Sequence, residues 1–500
     1  MSDQVVTRFA PSPTGDLHMG GLRTALFSYV LAKHHHGKFY LRIEDTDYKR
    51  CQEGSSDAIL SALQWCGLQW DGEVIYQSDR LALYSRYAHM LLSKGLAYRC
   101  FCSEERLEEV RKKHMAQGLR RGYDGHCRHL SSKDMAAHIK QLKPYVIRLK
   151  LPKQGDVHVE DALRGTIQFP WQQLEDFIIL KADGFPTYHL AHVVDDALCK
   201  VTHVLRGSEW ISTLPVHDFI LQGLGWPSPV YVHLPLILDS EGGKLSKRKQ
   251  AVSVQAFQDQ GYLKEAVINF LALLGWSYDD KTTLFSLDEL IKQFSIGRVS
   301  KSAAEFSVEK LDYFNHHYLV SLPPVELRQR LAPFLKKAFS HLYRSDHPAC
   351  APESMLAQQT AQQRAENLAS LYVSRLKHLS ELESYLAVLL SEEPMVYEAA
   401  VWQHKKLNHA TSLMSLEAMI ALLDGLQPWT QEHVEASLKE LALKHDWKVF
   451  TVMMPLRIAL TASQQSPSSA LIAYYLGQEE SVKRLKAAYA SLQAQNLSES

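Results

Sequence analysis

The chain has 500 residues, its 55 lysines and arginines are balanced by 55 aspartates and glutamates, and 46% of it is apolar. This length predicts two to four domains, and the composition excludes an intrinsically disordered chain. The zero net charge excludes a uniformly basic nucleic-acid-binding protein. No apolar run approaches the roughly 18–20 residues that cross a bilayer, and the first residues lack an apolar signal core, so we expect neither a membrane protein nor an exported one.

The first fifty residues predict a strand, a loop, a helix and a second strand. Residues 5–10 predict a short, mostly apolar strand, and a loop rich in Pro and Gly follows. From Met19 the apolar positions recur at helical spacing until Gly37, a typical helix C-cap. The second strand, 39–43, runs into an acidic stretch at 44–47. This order is typical of a doubly wound α/β domain, in which ligands bind beyond the carboxyl ends of the strands.

The loop TGDLHMGG, residues 14–21, joins the first strand to the helix and predicts a phosphate site. The free N–H groups and the dipole of a helix N-terminus favour an anion. Gly20 and Gly21 let a nucleotide lie against the backbone, and His18 can donate a hydrogen bond to a phosphate oxygen. The alternative is a glycine-rich turn with a solvent-facing histidine. The predicted nucleotide-binding residues are Thr14, Gly15, His18, Gly20 and Gly21, together with Lys247 of a second loop.

The stretch from about 96 to 185 interrupts this pattern and is interpreted as an insertion, with a charged helix from Glu104 to Arg121 and a strand at 145–149. Strand and helix then alternate again, as a strand at 201–205, a helix at 214–224 and a strand at 230–238. After about residue 250 the pattern is helical almost throughout. Residues 349–363, rich in Ala and Gln, are interpreted as a linker or a helix end.

Three cysteines in the insertion predict a metal site. Cys100-x-Cys102 and Cys127-x-His129 offer three thiolates and one imidazole, the ligand set of a closed tetrahedral zinc site. His126 competes with His129 for the fourth position. The alternative is a group of buried free thiols, which behave as small apolar side chains.

A second loop, EGGKLSKRK at 241–249, places basic residues behind paired glycines. A loop of this kind can close over a charged substrate. Lys244 and Lys247 would then stabilise a pentavalent α-phosphorus and a departing diphosphate, so we predict that both are catalytic together with His18. The alternative is a solvated basic surface.

Three segments resemble a known family. PSPTGDLHMG at 11–20 resembles the HIGH signature of class I aminoacyl-tRNA synthetases, and KLSKR at 244–248 resembles their KMSKS loop. The first motif together with RIEDTD at 42–47 is similar to the bacterial glutamyl branch, whereas the glutaminyl branch begins with a Pro-Glu-Pro-Asn-Gly type of loop. The resemblance is strong over 5–310 and more diffuse beyond.

The resemblance implies a cytoplasmic, monomeric enzyme that uses ATP and Mg²⁺ to activate L-glutamate and transfers it to the 3′ end of tRNA-Glu. It also implies structural Zn²⁺ at the cysteine site of the insertion. The expected fold is a Rossmann-type α/β catalytic domain with an inserted α+β zinc-bearing subdomain, followed by an all-α anticodon-binding region. The predicted boundaries are 1–95 and 186–240 for the catalytic domain, 96–185 for the acceptor-stem insertion, 241–325 for the KMSKS-loop and stem-contact region, and 326–500 for the anticodon-binding region.

The glutamate pocket is predicted partly from chemistry and partly from the resemblance. Arg8, at the end of the first strand, presents a planar fork for a carboxylate, and Glu44 offers a partner for the substrate ammonium. The resemblance implies that Ser12, Tyr188 and Arg206 also contact glutamate, and Ala10 lies on the same loop. The alternative makes Arg8 and Glu44 an internal ion pair and places Tyr188 in the core.

One position departs from the family pattern. The chain has AHVVDDA at 191–197 where the family usually has Ala-Asn-Val-Val-Asp-Asp-His, so His192 replaces an asparagine expected near the substrate α-carboxylate. Histidine is bulkier, can donate one hydrogen bond there and titrates near neutral pH. We therefore predict an altered, pH-dependent affinity for glutamate.

The helical region resembles the family's anticodon cage, and SRLKHL at 374–379 is similar to the segment whose arginine reads the third anticodon base. Arg375 is the predicted reader; an ordinary basic surface helix is the alternative. Lys112, Lys113, Arg120 and Arg121 offer local positive charge for RNA. The rival functions are a glutaminyl enzyme, a truncated tRNA-modifying paralogue, a non-catalytic tRNA-binding protein and a small-molecule adenylating ligase.

Overall fold

The computed structural model describes residues 4–118, 122–239, 241–243, 253–342, 366–390, 395–405 and 407–498. The chain divides into two compact units, Met1–Gln258 with Lys264–Leu311 and Asp259–Leu263 with Asp312–Ser500. In the part of the chain that the structure describes, no helix combines the length and apolarity needed to cross a membrane. Several predicted features lie outside the described residues, namely Lys244, Lys247, the other basic residues of their loop, Arg120, Arg121 and residues 349–363.

The described strands all lie in the first unit. In chain order they are β1 Val6–Phe9, β2 Lys38–Ile43, β3 Ile75–Tyr76, β4 Ala97–Cys100, β5 Val146–Leu149, β6 Asp156–Asp161, β7 Gly165–Pro170, β8 Ile178–Leu180, β9 His203–Gly207, β10 Val230–Leu234, β11 Ile237–Leu238 and β12 Ala304–Glu305. β1, β2 and β3 form a parallel sheet, and β9 and β10 are parallel neighbours in a second sheet. A backbone hydrogen bond of 2.9 Å from Thr202 to Val6 links the two sheets just before β9.

The helices of the first unit connect these strands. They are α1 Met19–His34, α2 Ser55–Trp65, α3 Leu81–Ser93, α4 Glu104–Ala116, α5 Ser132–Lys140, α6 Tyr188–Leu198, α7 Leu214–Leu224, α8 Val254–Asp259, α9 Lys264–Ala272 and α10 Leu287–Gln293, and α11 Val308–Ser321 continues into the second unit. The helix predicted from Met19 is confirmed, and it is capped at its start by the His18 side chain. The strand predicted at 230–238 is two strands, since Pro235, which cannot donate a backbone hydrogen bond, follows the first.

The insertion predicted at 96–185 contributes to two different sheets. β4, β5 and β8 form an antiparallel sheet of their own, whereas β6 pairs with β10 of the parallel sheet and β7 pairs with β6. Part of this stretch therefore extends the sheet that carries β9. The charged helix predicted to reach Arg121 is α4, which ends at Ala116 and buries none of its residues.

Helix α6 has two distinct faces. Leu190 and Val194 pack into the core formed with α3, α7 and the antiparallel sheet. His192, Asp195 and Asp196 are buried too, but they are polar. Because residues three and four apart share a helix face, the sequence of α6 gathers these polar groups next to the edge where β1 and β9 end.

The second unit contains only helices among its described residues, in agreement with the all-α region predicted for 326–500. Residues 366–372 are helical, and a 3₁₀ turn follows at Val373–Arg375. The remaining helices are α12 Pro324–Leu342, α13 Glu381–Leu390, α14 Ala399–Trp402, α15 His409–Asp424, α16 Gln431–Lys444, α17 Val449–Thr461, α18 Ser469–Leu476 and α19 Gln478–Ser498.

Candidate active site

One cavity of about 420 Å³ lies at the carboxyl ends of β1, β2 and β9. It brings together the described residues that the sequence predicts for ATP and for glutamate, with the exception of His192. The two sets come from segments as far apart as Arg8 and Arg206, whose strands β1 and β9 belong to the two linked sheets and end at the same cavity. The predicted residues that line the cavity are Arg8, Ala10, Ser12, Thr14, Gly15, His18, Gly20, Gly21, Glu44, Tyr188 and Arg206.

The loop before α1 is held in a conformation that suits a phosphate. The Nδ1 atom of His18 accepts a hydrogen bond of 3.0 Å from the Gly21 backbone, so the ring carries its proton on Nε2, the donor that a phosphate oxygen needs. A Cβ atom at Gly20 would lie 3.1 Å from that same Nδ1. Gly15 adopts a φ of 122°, a conformation that side chains disfavour.

Arg8 and Glu44 belong to one buried network, but they do not form the ion pair with each other that the alternative prediction requires. Arg8 Nε lies 3.1 Å from each carboxylate oxygen of Asp196. Arg42 lies 2.6 Å from Asp196 and 3.0 Å from Glu44, and it therefore bridges the two acids. Burial raises the pKa of Glu44, although Arg42 opposes this.

Asp196 is the centre of this network. Burial alone would raise its pKa, but the guanidinium groups of Arg8 and Arg42 hold it well below its usual range. Asp195, the neighbouring residue, lies 3.7 Å from Arg42 and 2.9 Å from Arg80, and it accepts hydrogen bonds of 2.8 Å from Gln77 and Tyr84. The predictions from sequence did not include either acid as a site residue. A pair of carboxylates on an otherwise apolar helix is the pattern that could have indicated them.

His192 does not line the cavity, although the sequence predicts it beside the substrate α-carboxylate. Its ring is stacked on Tyr188 and 1% exposed, and its Nε2 lies 3.3 Å from Arg206 Nη1. Since arginine can only donate, this nitrogen accepts, and Nδ1 lies 2.9 Å from Asp196. Burial lowers the pKa of His192 to about 3. With this pKa the imidazole is neutral from pH 6 to 8, so we expect the affinity for glutamate not to vary with the charge of His192 in this range.

Replacing His192 with Asn should raise the KM for glutamate about fivefold, the factor that corresponds to roughly 1 kcal/mol for one lost hydrogen bond. Because a ring with a pKa of about 3 does not change charge near neutrality, the ratio of variant to wild-type KM should be the same at pH 6, 7 and 8. The measurement is glutamate-dependent exchange of diphosphate into ATP, with the exposed His158→Asn variant as a control. A ratio that changes with pH would contradict this.

The three predicted thiols of the insertion also lie together. The sulfur atoms of Cys100, Cys102 and Cys127 are within 4.8 Å of one another, and Cys102 and Cys127 are 3.5 Å apart. His129 is exposed and outside this group, as is His126. Both histidines lie with Cys127 in a 3₁₀ turn, His126–His129, where side chains two positions apart point about 120° away from each other.

The hydroxyl of Tyr123 contacts the thiol group directly. It lies 3.4 Å from the sulfur of Cys100 and 3.8 Å from that of Cys102. Arg106 approaches the sulfur of Cys102 to 3.4 Å. The prediction of His129 as a ligand is thus not reproduced by the geometry, whereas the three cysteines are brought together.

Comparison with known proteins gives the family. The model for "tRNA synthetases class I (E and Q), catalytic domain" matches residues 4–313, and the model for "Anticodon binding domain" matches residues 326–489. The chain belongs to the class I tRNA synthetases of the E and Q group. The predicted family is confirmed, and so is the order of a catalytic domain followed by an anticodon-binding domain.

Relatives of this synthetase align over nearly its whole length. The glutamate–tRNA ligases of Clostridioides difficile and Dehalococcoides mccartyi are 37% and 40% identical to it, over 96% and 98% of this chain and 98% and 99% of theirs. A crystal structure of a glutamate tRNA ligase from Elizabethkingia meningosepticum, in complex with its amino acid, matches with a TM-score of 0.83. That match has 32% identity and covers 98% of this chain and 100% of the other.

Proposed function

We propose that this synthetase is a glutamate–tRNA ligase. It would form glutamyl-adenylate from ATP and L-glutamate, release diphosphate and transfer glutamate to the 3′ end of tRNA-Glu. The observation that supports this best is the single cavity, in which a helix N-terminus suited to phosphate lies beside guanidinium groups suited to carboxylates. Relatives aligned over the full chain carry this activity in their names.

In the proposed reaction the α1 loop binds ATP. Thr14, Gly15, Gly20 and Gly21 would lie along the nucleotide, while His18 donates from Nε2 to a phosphate oxygen as charge develops there. Lys244 and Lys247 would stabilise the departing diphosphate from their own loop. Mg²⁺, when bound with the nucleotide, supplies further positive charge to the diphosphate.

The other side of the cavity is proposed to bind glutamate. Arg8 and Arg206 would bind its two carboxylates, and Glu44 its ammonium group, with Ser12 and the Ala10 backbone beside them. Tyr188 is partly exposed and lines the cavity, whereas the alternative prediction places it in the core. The attack of the α-carboxylate on the α-phosphorus then occurs where the two halves of the cavity meet.

The remaining parts are proposed to bind tRNA-Glu, with the insertion at the acceptor stem and the helical region at the anticodon, within the boundaries given above. α4 exposes Lys112 and Lys113, which provide positive charge for phosphates. Arg375 is exposed at the end of its 3₁₀ turn, as a base-reading arginine must be. As in the family, the enzyme is expected to work as a cytoplasmic monomer.

We also propose that Cys100, Cys102 and Cys127 bind a structural zinc ion. Tetrahedral zinc–thiolate geometry places sulfur atoms about 3.8 Å apart, close to the 3.5 Å between Cys102 and Cys127. The Phe101 N–H donates to the Cys127 sulfur at 3.4 Å, an interaction that favours a thiolate. Zinc, when bound, would link the end of β4 to the 3₁₀ turn, with Tyr123 beside the open position.

Protein purified without chelator should contain about one equivalent of zinc per chain by elemental analysis. Cys127→Ser should lose most of this metal and lower the unfolding temperature, because a structural zinc contributes directly to folding. His129→Ala should retain the metal, since His129 lies outside the sulfur group. Less than a tenth of an equivalent in the wild type would overturn the zinc proposal, and equal loss in both variants would restore His129 as a ligand.

The experiment that tests the proposed function is exchange of labelled diphosphate into ATP. Exchange should require glutamate and should be stimulated by tRNA-Glu, as is expected for the glutamyl family. Glutamine in place of glutamate is the arm that would identify a glutaminyl enzyme. Tight tRNA binding without any exchange would identify a non-catalytic binding protein. An exchange rate that is the same with and without tRNA-Glu would favour an adenylating ligase.

A further inference from the structure

Arg206 has an unusual set of partners for a buried arginine. It is 5% exposed, and its Nε donates to His233 Nε2 at 2.9 Å. Its Nη1 lies 3.2 Å from His217 Nδ1 and 3.3 Å from His192 Nε2, and it also donates to the Tyr188 hydroxyl at 3.2 Å. Three imidazoles thus accept hydrogen bonds from one guanidinium group, two of them sharing the hydrogens of Nη1.

Two other buried arginines of the site, Arg8 and Arg42, differ in this respect, whereas the buried Arg23 donates to the backbone carbonyls of Leu274 and Pro235. Arg8 and Arg42 are both paired with the carboxylate of Asp196. In the described part of the chain, no carboxylate forms an ion pair with Arg206. Its guanidinium group is therefore held directly by uncharged hydrogen-bond acceptors, in a site that opens into the cavity.

Each of the three imidazoles has its proton position set by a further group. Since an arginine cannot accept a hydrogen bond, the ring nitrogen that faces Arg206 must be unprotonated. The opposite nitrogen then carries the proton. It faces an acceptor at 2.7 Å in His233 (Asp161) and at 3.2 Å in His217 (His189), and in His192 it lies 2.9 Å from a carboxylate oxygen of Asp196.

The surroundings keep these rings neutral. Burial lowers the pKa of His192, His217 and His233, and the charge of Arg206 lowers each of them further. Asp196 and Asp161 act in the opposite direction on His192 and His233, but burial is the larger effect. A charged ring would present a proton to the guanidinium and lose the hydrogen bond.

We propose that His192, His217 and His233 are positioning residues that form an uncharged cradle for Arg206. The cradle fixes the direction of the guanidinium, and it leaves the full positive charge for a carboxylate of the amino acid substrate. Asp161, Asp196 and His189 support it by selecting the accepting tautomer of each ring. This inference rests on the proposed binding of glutamate in the cavity.

The test uses the fact that the amide of Asn reaches the position of a histidine Nδ1, whereas that of Gln reaches Nε2. At 233 the accepting atom is Nε2, so His233→Gln should keep the hydrogen bond to Arg206 and His233→Asn should lose it. At 217 the accepting atom is Nδ1, so the order is reversed: His217→Asn keeps the hydrogen bond and His217→Gln loses it.

In tRNA-stimulated exchange of diphosphate into ATP, the two variants that lose the acceptor should raise the KM for glutamate at least about fivefold. The two that keep it should stay within about twofold of the wild type, and the KM for ATP should stay within about twofold in all four. Thermal unfolding of each variant is recorded beside the kinetics. If the variants at only one of the two positions fold, that position alone tests the cradle. There the variant that loses the acceptor should raise the KM for glutamate while the KM for ATP stays within about twofold.

A side chain that only fills space would rank Asn and Gln in the same order at both positions, and this result would overturn the cradle. So would a parallel rise of the two KM values in a folded variant. Failure of the proposed function is a different result, since the wild-type chain itself would then show no glutamate-dependent exchange.

Discussion

Replacing Asp196 with Asn should reduce the free energy of unfolding of the first unit by about 3–5 kcal/mol, because it leaves two buried guanidinium groups without their shared carboxylate. Arg8 and Arg42 both approach Asp196 within 3.1 Å, and Asp196 itself is 4% exposed. Glutamate-dependent exchange should fall below detection, since Arg8 loses the group that orients it. Chemical denaturation and the exchange assay measure the two effects.

Asp280→Asn is the matched control, since it makes the same chemical change at an exposed carboxylate of the same unit. The pH dependence has a definite sign. Because the pKa of Asp196 is lowered in the folded state, its contribution is complete above its unfolded pKa of about 4 and is lost as the pH falls through the folded value. The stability difference between wild type and variant should therefore be constant from pH 6 to 8. A difference below about 1 kcal/mol would show that the network is not maintained by Asp196.

Replacing His18 with Asn should lower kcat for adenylate formation about 100-fold while leaving the unfolding temperature unchanged. The two roles of His18 are separable, because Nδ1 caps helix α1 and Nε2 is the proposed donor to phosphate. Asparagine is a good N-cap and can accept from the Gly21 N–H, but it has no group at the Nε2 position. A lost donor to developing charge typically costs about 10²–10³ in kcat.

Comparison with His18→Ala separates the two effects. The alanine variant should show the same loss of kcat and, in addition, a loss of about 1 kcal/mol in stability from the missing cap. If the Asn variant kept more than a tenth of the wild-type kcat, His18 would be a structural cap and the phosphate role would be wrong.

Local chemistry was the part of the site that the sequence made predictable. The loop between β1 and α1 could be interpreted from adjacent residues, since a strand end, paired glycines and a helix start follow one another within residues 9–21. The same holds for the cysteines, whose grouping needs only a short excursion of the chain. His129 failed as a ligand because the sequence does not show that Cys127 and His129 lie in a 3₁₀ turn.

Partners that are distant in sequence were not predictable. Arg8 and Asp196 are 188 residues apart, and Arg206 and His233 are brought together only because β9 and β10 are adjacent. The pairing of β6 with β10 is long-range too, so 156–161 could not be separated from the rest of the insertion by pattern alone. Buried polar partners of this kind follow from the sheet order, which hydrophobic periodicity does not encode.

The two faces of α6 have a consequence for how this enzyme can change. Leu190 and Val194 hold the helix in the core, and on the other face His192 and Asp196 contact the arginines of the pocket. Substitutions on this face that change the specificity for the amino acid substrate, in evolution or in a laboratory selection, should first lower the stability of the protein. Stabilising changes elsewhere in the first unit should therefore have to be acquired first, and a thermostable background would be the better starting point for redesign.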